Sequence, residues 1–264
     1  MGLFEGKKGI IMGVANDRSI ASAVARVLHQ EGARLGFSHL PDTDERGRMA
    51  GRVTKVAGPL DPVFVEPCDV QDDQSIRDFF ARAKETMGKI DFLVHSIAFA
   101  PTDDIRCPTL EASREGFKTA MDISAYSLIG VTREAAPLMN PGGSVCAMTY
   151  FGGEKVMAGY NLMGVCKAAL DSAVRYLAWD LGQSGIRINA ISAGPLKTLA
   201  SSAVGDFKKM LDHNSRITPL QRNIEAKEVG QAAAYLLSDM ASAITGEIHH
   251  VDCGFSIMGA AALD

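Results

Sequence analysis

The sequence predicts an α/β fold, with one domain built on a doubly wound, mostly parallel sheet of seven strands. Three observations predict it. Short apolar runs alternate with longer segments whose apolar residues recur at i, i+3 and i+4. The chain has 264 residues and is 47% hydrophobic, which suffices for one substantial core. No linker, low-complexity tract or internal repeat divides it, so residues 1–264 read as one unit.

The elements follow in order. GIIMGV (9–14) reads as the first strand and IASAVARVLHQEG (20–32) as a helix stopping at glycine. RLGFS (34–38) and PVFVEP (62–67) supply the next two strands, and SIRDFFARAKETMG (75–88) the next helix. IDFLVHS (90–96) precedes a long helical segment from about Arg114 to Met139, and GSVCAM (143–148) follows it. YNLMGVCKAALDSAVRYLAWDLG (160–182), the strand IRINAIS (186–192), AKEVGQAAAYLLSDM (226–240) and the strand EIHHVD (247–252) complete the series. Repeated strand–helix alternation with right-handed crossovers gives a Rossmann-type sheet, whose ligand crevice lies at the carboxyl ends of its strands.

Composition excludes several function classes. A net charge of -4 lacks the basic footprint that nucleic acid requires. The five cysteines, Cys68, Cys107, Cys146, Cys166 and Cys253, are scattered with no C-x-x-C, so neither a disulfide framework nor a zinc site is expected. The N-terminal apolar run is too short for a secretory signal, and Gly6 stands where a myristoylation signal wants Ser or Thr. No segment reaches the ~18 apolar residues of a membrane span. A soluble cytoplasmic protein is expected.

The chemistry-bearing motifs sit at the strand ends. In GVANDRSIASAVA, Gly13 supplies a tight turn, and Ser19-Ile20 open a helix whose free N–H groups suit a pyrophosphate. Only one glycine stands where the usual fingerprint has three. After the second strand, an acidic residue would select NAD and a basic one a 2′-phosphate. His39 and Leu40 are neither, and Arg46 and Arg48 follow, so the reading is NADH with NADPH as the alternative. Asp69 after the third strand has two readings, adenine contact or helix N-cap. HSIAFAP after the fourth strand has small residues that let backbone pass a ribose and nicotinamide, or is a packed strand end.

In YFGGEKVMAGYNLMGVCK (150–167), Tyr160 and Lys167 lie seven apart, about 20° around a helix and roughly 10 Å along it. One face therefore carries both, with the ammonium a turn further from the phenol than a four-residue spacing would place it. Taken alone, the pair also reads as a helix-start aromatic and a solvated charge.

With GVANDRSIA, CDV, HSIAFAP, DISAYS, Tyr150-x9-Tyr160-N-x-MG-x-x-Lys167, RINAISAGP-x-x-TLA and HVDCGFS, spanning residues 13–256, the sequence resembles the bacterial enoyl-acyl carrier protein reductases of the short-chain dehydrogenase superfamily. Ordinary short-chain reductases pair Tyr-x3-Lys with a serine about thirteen residues before the tyrosine, and that position here is Ala147. The resemblance implies hydride transfer from NADH to the trans-2,3 double bond of an enoyl-acyl carrier protein thioester in fatty acid elongation. Tyr160 would hydrogen-bond the thioester carbonyl, Lys167 the nicotinamide ribose, and Tyr150 would line the acyl pocket. Gly13, Ser19, Ile20, Leu40, Asp69, Val70, Ile97, Leu196, Lys197, Thr198, Leu199 and Ala200 would contact the dinucleotide, and Ala100 the substrate. Two departures stand out: Ala98 where the familiar form has glycine, and Leu40 where it has glutamine. The resemblance further implies a homotetramer.

A keto-reductase on the same fold and a non-catalytic dinucleotide sensor are the competing readings. Ala147 and the long Tyr–Lys spacing weigh against the first; the joint presence of Tyr150, Tyr160 and Lys167 weighs against the second. His249-His250 resemble metal ligands, but adjacent strand residues face opposite ways, so no metal is expected. Residues 195–222 carry Lys197, Lys208, Lys209, Arg216 and Arg222. They read as a lid over the acyl pocket whose basic rim receives an acidic carrier protein, or as a solvated helix face.

Overall fold

The computed structural model describes residues 2–43, 47–197 and 207–259, without the side chains of Phe207 and Lys208. Arg46, Thr198, Leu199, Ala200 and the centre of the expected lid lie outside the described residues, as does the Lys208 side chain.

Seven strands form one sheet: β1 (Lys8–Met12), β2 (Arg34–His39), β3 (Phe64–Pro67), β4 (Ile90–His95), β5 (Met139–Thr149), β6 (Arg187–Ala193) and β7 (Ile248–Val251). Their order is β3-β2-β1-β4-β5-β6-β7. Every neighbouring pair is parallel, not merely most of them. Both faces are therefore covered, which is why β1 and β6 are buried almost throughout instead of alternating. The chain turns outward in both directions from β1 and β4, so the topological switch point lies between them.

One face packs beneath α1 (Ile20–Gln30), α2 (Arg48–Ala57) and α9 (Ala226–Leu237), with Ile11, Leu28, Phe37, Phe92, Val229 and Leu236 in a common cluster. The other packs beneath α3 (Asp73–Met87), α6 (Ser127–Ala135) and α7 (Asn161–Gly182), around Ile10, Phe79, Leu93, Val131, Leu170 and Ile188. Each such buried side chain contributes about 1.5–3 kcal/mol of transfer free energy. Ser19 caps α1 and Asp72 caps α3, while Gly88 terminates α3 in a left-handed conformation (φ 71°).

The long helical segment expected between Arg114 and Met139 is divided. α5 (Arg114–Met121) runs into a π-helical turn at Asp122–Tyr126, α6 follows, and β5 begins at Met139, four residues before the expected GSVCAM strand. The β4–β5 register shifts between Ile90 and Phe92, which accommodates the early start. Three helices were not anticipated: α2, the short α4 (Thr102–Arg106) and α8 (Phe207–Ile217) inside the expected lid. All five cysteines are free thiols, and four of them are buried.

Candidate active site

β1, β4 and β5 end side by side, Met12 paired with His95 and His95 with Ala147. Beyond β1, Gly13 adopts φ 95°, and a Cβ there would collide with the Ser96 carbonyl beyond β4. Only glycine permits both that turn and that approach. Ser19 follows as the α1 cap: its Oγ accepts from Ser22 N and donates to the Asn16 carbonyl at 2.7 Å. The amides of Ile20 and Ala21 are then first-turn orphan donors of α1, facing the switch point.

β5 leads into Tyr150, a 3-10 turn at Phe151–Gly153, and then α7. Tyr160 stands at the head of α7, where Asn161 takes a left-handed φ of 41°. Two bonds hold that strained residue: its side-chain amide donates to the carbonyls of Ile105 and Cys107 at 2.9 and 2.8 Å. The Tyr150 and Tyr160 rings meet edge to face, with centroids 4.7 Å apart.

The turn before α7 is a notch made by two glycines. A Cβ at Gly152 would lie 2.5 Å from Tyr160 Cδ1 and 3.2 Å from Tyr150 Cδ1. One at Gly153 would lie 2.7 Å from Asp171 Oδ2 and 2.9 Å from the Lys167 carbonyl carbon. The turn thus rests directly on the first turns of α7, along the face bearing Tyr160, Lys167 and Asp171.

Lys167 is buried at 5% exposure, and its ammonium donates to the Met148 carbonyl at 2.7 Å. An ammonium has three donors, so two N–H groups remain beyond that bond. Burial pulls its pKa down to about 8, opposed by the negative charge of Asp171. Burial also raises Tyr160 well above the phenol range, with Tyr150, Cys166 and Asp171 adding to the rise, and pushes Tyr150 up to about 12. Near neutrality both phenols therefore carry their protons. They are donors, suited to an oxygen on which negative charge develops. Position 147 in β5 is a fully buried alanine and carries no hydroxyl.

The π-helical turn supplies the next layer. Ser124 Oγ donates to the Phe99 carbonyl and accepts from Phe99 N, both at 2.9 Å, fixing the loop beyond β4. Ser127 donates to the Ile123 carbonyl at 2.6 Å and meets His95 Nε2 at 2.8 Å. His95 is fully buried, and burial with the nearby Lys167 charge brings it down to about 3, so it is neutral. A π turn at this place is a common mark of a functional site.

The predicted residues are brought together unevenly. Ala100 and Tyr160 share a small apolar cluster with Leu162 and Met163. Ile97 and Val70 pack on the cluster beneath α3 and α7, Val70 at 7% exposure. Leu40 is 54% exposed beyond β2, an open apolar surface. Leu196 is half-buried and Lys197 exposed. Asp69 is not the N-cap of α3, because Asp72 fills that role; Asp69 Oδ1 accepts from Gln71 N at 3.0 Å. Arg222 forks onto Glu228 at 2.6 Å, so that cation of the expected basic rim is already paired. His250 meets Glu154 at 2.8 Å, and no metal-ligating cluster occurs among the described residues. Asp171, His95 and the glycine notch escaped the sequence reading. The signal for Asp171 was an acidic residue one turn after Lys167 on the same face.

These parts suit a dinucleotide: a glycine turn and an unencumbered helix start at the switch point, an exposed apolar Leu40 and a buried ammonium held at the end of β5.

A family model for enoyl-(acyl carrier protein) reductase matches residues 13–256. The FabI enoyl-[acyl-carrier-protein] reductase [NADH] of Nostoc sp. is 47% identical over 254 residues, covering 96% of this chain and 98% of the relative. Enoyl-[acyl-carrier-protein] reductase [NADH] 1 of Rhizobium meliloti is 48% identical, covering 100% and 95%. Among solved structures, the Aquifex aeolicus enoyl-[acyl-carrier-protein] reductase (NADH) superposes with a TM-score of 0.93 at 46% identity, covering 98% of this chain and 100% of that one. An Anaplasma phagocytophilum reductase in complex with NAD superposes with a TM-score of 0.93 at 44% identity, covering 99% and 98%.

Proposed function

The chain belongs to the enoyl-(acyl carrier protein) reductase family, and from that membership we infer that it reduces the trans-2,3 double bond of enoyl-acyl carrier protein thioesters with NADH in fatty acid biosynthesis. The observation that carries the assignment of residues is the Tyr160 ring, seated edge to face on Tyr150 at the head of the helix that buries Lys167.

NADH supplies the hydride when bound. Tyr160 donates its hydrogen bond to the thioester carbonyl, where negative charge builds as C3 is reduced. A preorganised donor at such a place is worth roughly 3–4 kcal/mol of barrier. Tyr150 and Tyr160, half-buried with their pKa values raised above the already high phenol range, stay uncharged near neutrality, so neither repels the developing oxyanion. Lys167, anchored by the Met148 carbonyl, turns its remaining donors to the ribose hydroxyls. Its positive charge favours enolate-like negative charge in the same pocket. Tyr150 and Ala100 form the wall beside the reacting alkene. The free α1 amides of Ile20 and Ala21 take the pyrophosphate beside the Ser19 cap, with Gly13, Leu40, Asp69, Val70, Ile97 and residues 196–200 along the remaining length of the dinucleotide.

Residues 195–222 serve as the lid. α8 is tied back by a side-chain amide pair, Asn214 to Asn223 at 2.9 Å, with Asn223 donating to the Leu211 carbonyl at 3.0 Å. This reading carries a cytoplasmic homotetramer with it, checked by light scattering and cell fractionation. No helix among the described residues is long and apolar enough to cross a membrane.

The test is consumption of NADH and of NADPH with crotonyl thioester. Faster turnover with NADH is expected. Absence of turnover with both cofactors, in a protein that binds NADH, would instead favour a sensor.

A further inference from the structure

We propose that Asp171 is a positioning residue that keeps Lys167 in its charged form, a role resting on the assignment of Lys167 to cofactor binding. Asp171 lies one turn beyond Lys167 on the same face of α7, is 4% exposed, and its Oδ1 has no hydrogen-bond partner. Carboxylates are rarely buried without compensation.

The surroundings show where compensation comes from. On α7 the charges acting on Asp171 are Lys167 and Arg175; from β5 the Thr149 hydroxyl faces it, and from the preceding turn Glu154 opposes it. On Lys167, Asp171 is the strongest influence opposing burial, with Cys166 behind it. From β4, His95 also faces the lysine and is neutral; from β5 the Met148 carbonyl accepts its hydrogen bond. The two groups make no salt bridge and act on each other through space. Gly153 gives the carboxylate its seat, since any Cβ there would crowd Oδ2. Behind Asp171 opens a hollow of about 420 Å³ lined by Gly153, Glu154, Arg175, Glu247 and His250. Burial raises the Asp171 carboxyl above its ordinary value, the Thr149 hydroxyl and the Lys167 charge oppose that rise, and the hollow that Asp171 helps line opens to solvent.

The sign follows directly. The ammonium is present below its pKa of about 8 and lost above it. Burial depresses that value and Asp171 raises it, so replacing Asp171 with a neutral isostere lowers it further.

NADH affinity is measured from pH 6 to 9.5 (about the range the intact fold should tolerate) for wild type, Asp171→Asn and Asp171→Glu, with thermal melts alongside. The proposal expects the alkaline loss of affinity to begin about one pH unit lower in Asp171→Asn, an affinity weakened about fivefold near pH 8 and about tenfold above pH 9, and recovery in Asp171→Glu. A limb at the wild-type position overturns it, as does uniform weakening at every pH, which marks a merely structural role. Should Asp171→Asn fail to fold, carbon-13 NMR of wild-type aspartate carboxyls gives the second test. The Asp171 resonance should show a step near pH 8 that vanishes in Lys167→Met; a resonance without that step overturns the proposal. If Lys167→Ala binds NADH as tightly as wild type, the assignment of Lys167 itself has failed, a result separable from an unmoved limb in Asp171→Asn.

Discussion

Gly152→Ala is the sharpest probe of how Tyr160, the proposed donor, is held. The added Cβ would lie 2.5 Å from Tyr160 Cδ1 and 3.0 Å from Cε1. Carbon atoms pack at about 3.5–4.0 Å, so the ring must retreat by roughly 1 Å. Tyr150, edge-on at 4.7 Å, limits the retreat on one side. Gly152 is not among the left-handed residues, so the backbone accepts alanine and the effect falls on the Tyr160 ring first, with a lesser contact 3.2 Å from Tyr150 Cδ1. A displacement of about 1 Å can cost on the order of 100-fold in rate, and the overpacking about 1–3 kcal/mol in stability. The assay is kcat with crotonyl thioester, beside NADH affinity and a thermal melt. Turnover should fall about 100-fold while the protein stays folded and NADH affinity stays near wild type. Unchanged turnover in a folded variant would refute the notch as the device that seats Tyr160.

Other outcomes separate the remaining parts. Tyr160→Phe should lower turnover while NADH still binds, whereas Lys167→Ala should weaken NADH binding; titrating cofactor into both and finding the reverse pattern refutes those roles. Lys167 has a folded pKa of about 8 against an ordinary 10.5, so the unfolded chain holds the extra proton between those values. Stability should therefore rise with pH through that window, by up to about 3 kcal/mol, and the rise should disappear in Lys167→Met when followed by denaturant unfolding. Arg222 holds the Glu228 carboxyl down at about 2. That pair's stabilisation is complete above the ordinary 4.5, is lost as pH falls toward 2, and, being partly exposed, should cost no more than about 1 kcal/mol in Glu228→Gln. Charge reversal of Lys208 and Lys209 to Glu should slow reduction of the carrier-bound substrate more than that of a small thioester, and equal slowing would end the docking role.

Much of this architecture was legible because its cause is local. Short apolar runs located the seven strands, period-3.6 spacing located the major helices, and the βα alternation required the parallel sheet. Tyr160 and Lys167 were readable because a shared helical face follows from their spacing, whereas Ala147 stood out only through the resemblance to short-chain reductases. What stayed hidden depends on partners distant in sequence. The π turn at Asp122–Tyr126 accompanies Ser124 on Phe99 and Ser127 on His95, contacts that no periodicity encodes. α2 was overlooked because only Val53, Val56 and Ala57 are buried and Gly51 interrupts its face. Asp171 resembled an ordinary polar helix residue until the turn bearing Gly153 was seen to cover it. Asp69 was ambiguous for a plain reason: three acidic residues, Asp69, Asp72 and Asp73, surround one helix start, and only geometry shows which one caps it.

The fate of the hydrogen bears most directly on the central claim, that Tyr160 and Lys167 arrange hydride delivery to an alkene conjugated with a thioester. With NADH deuterated at the transferring carbon and crotonyl thioester as acceptor, the saturated product should carry deuterium at C3, with a solvent hydrogen at C2. Deuterium at C2, or on a carbinol carbon formed from a ketone while the alkene is left untouched, would contradict the account.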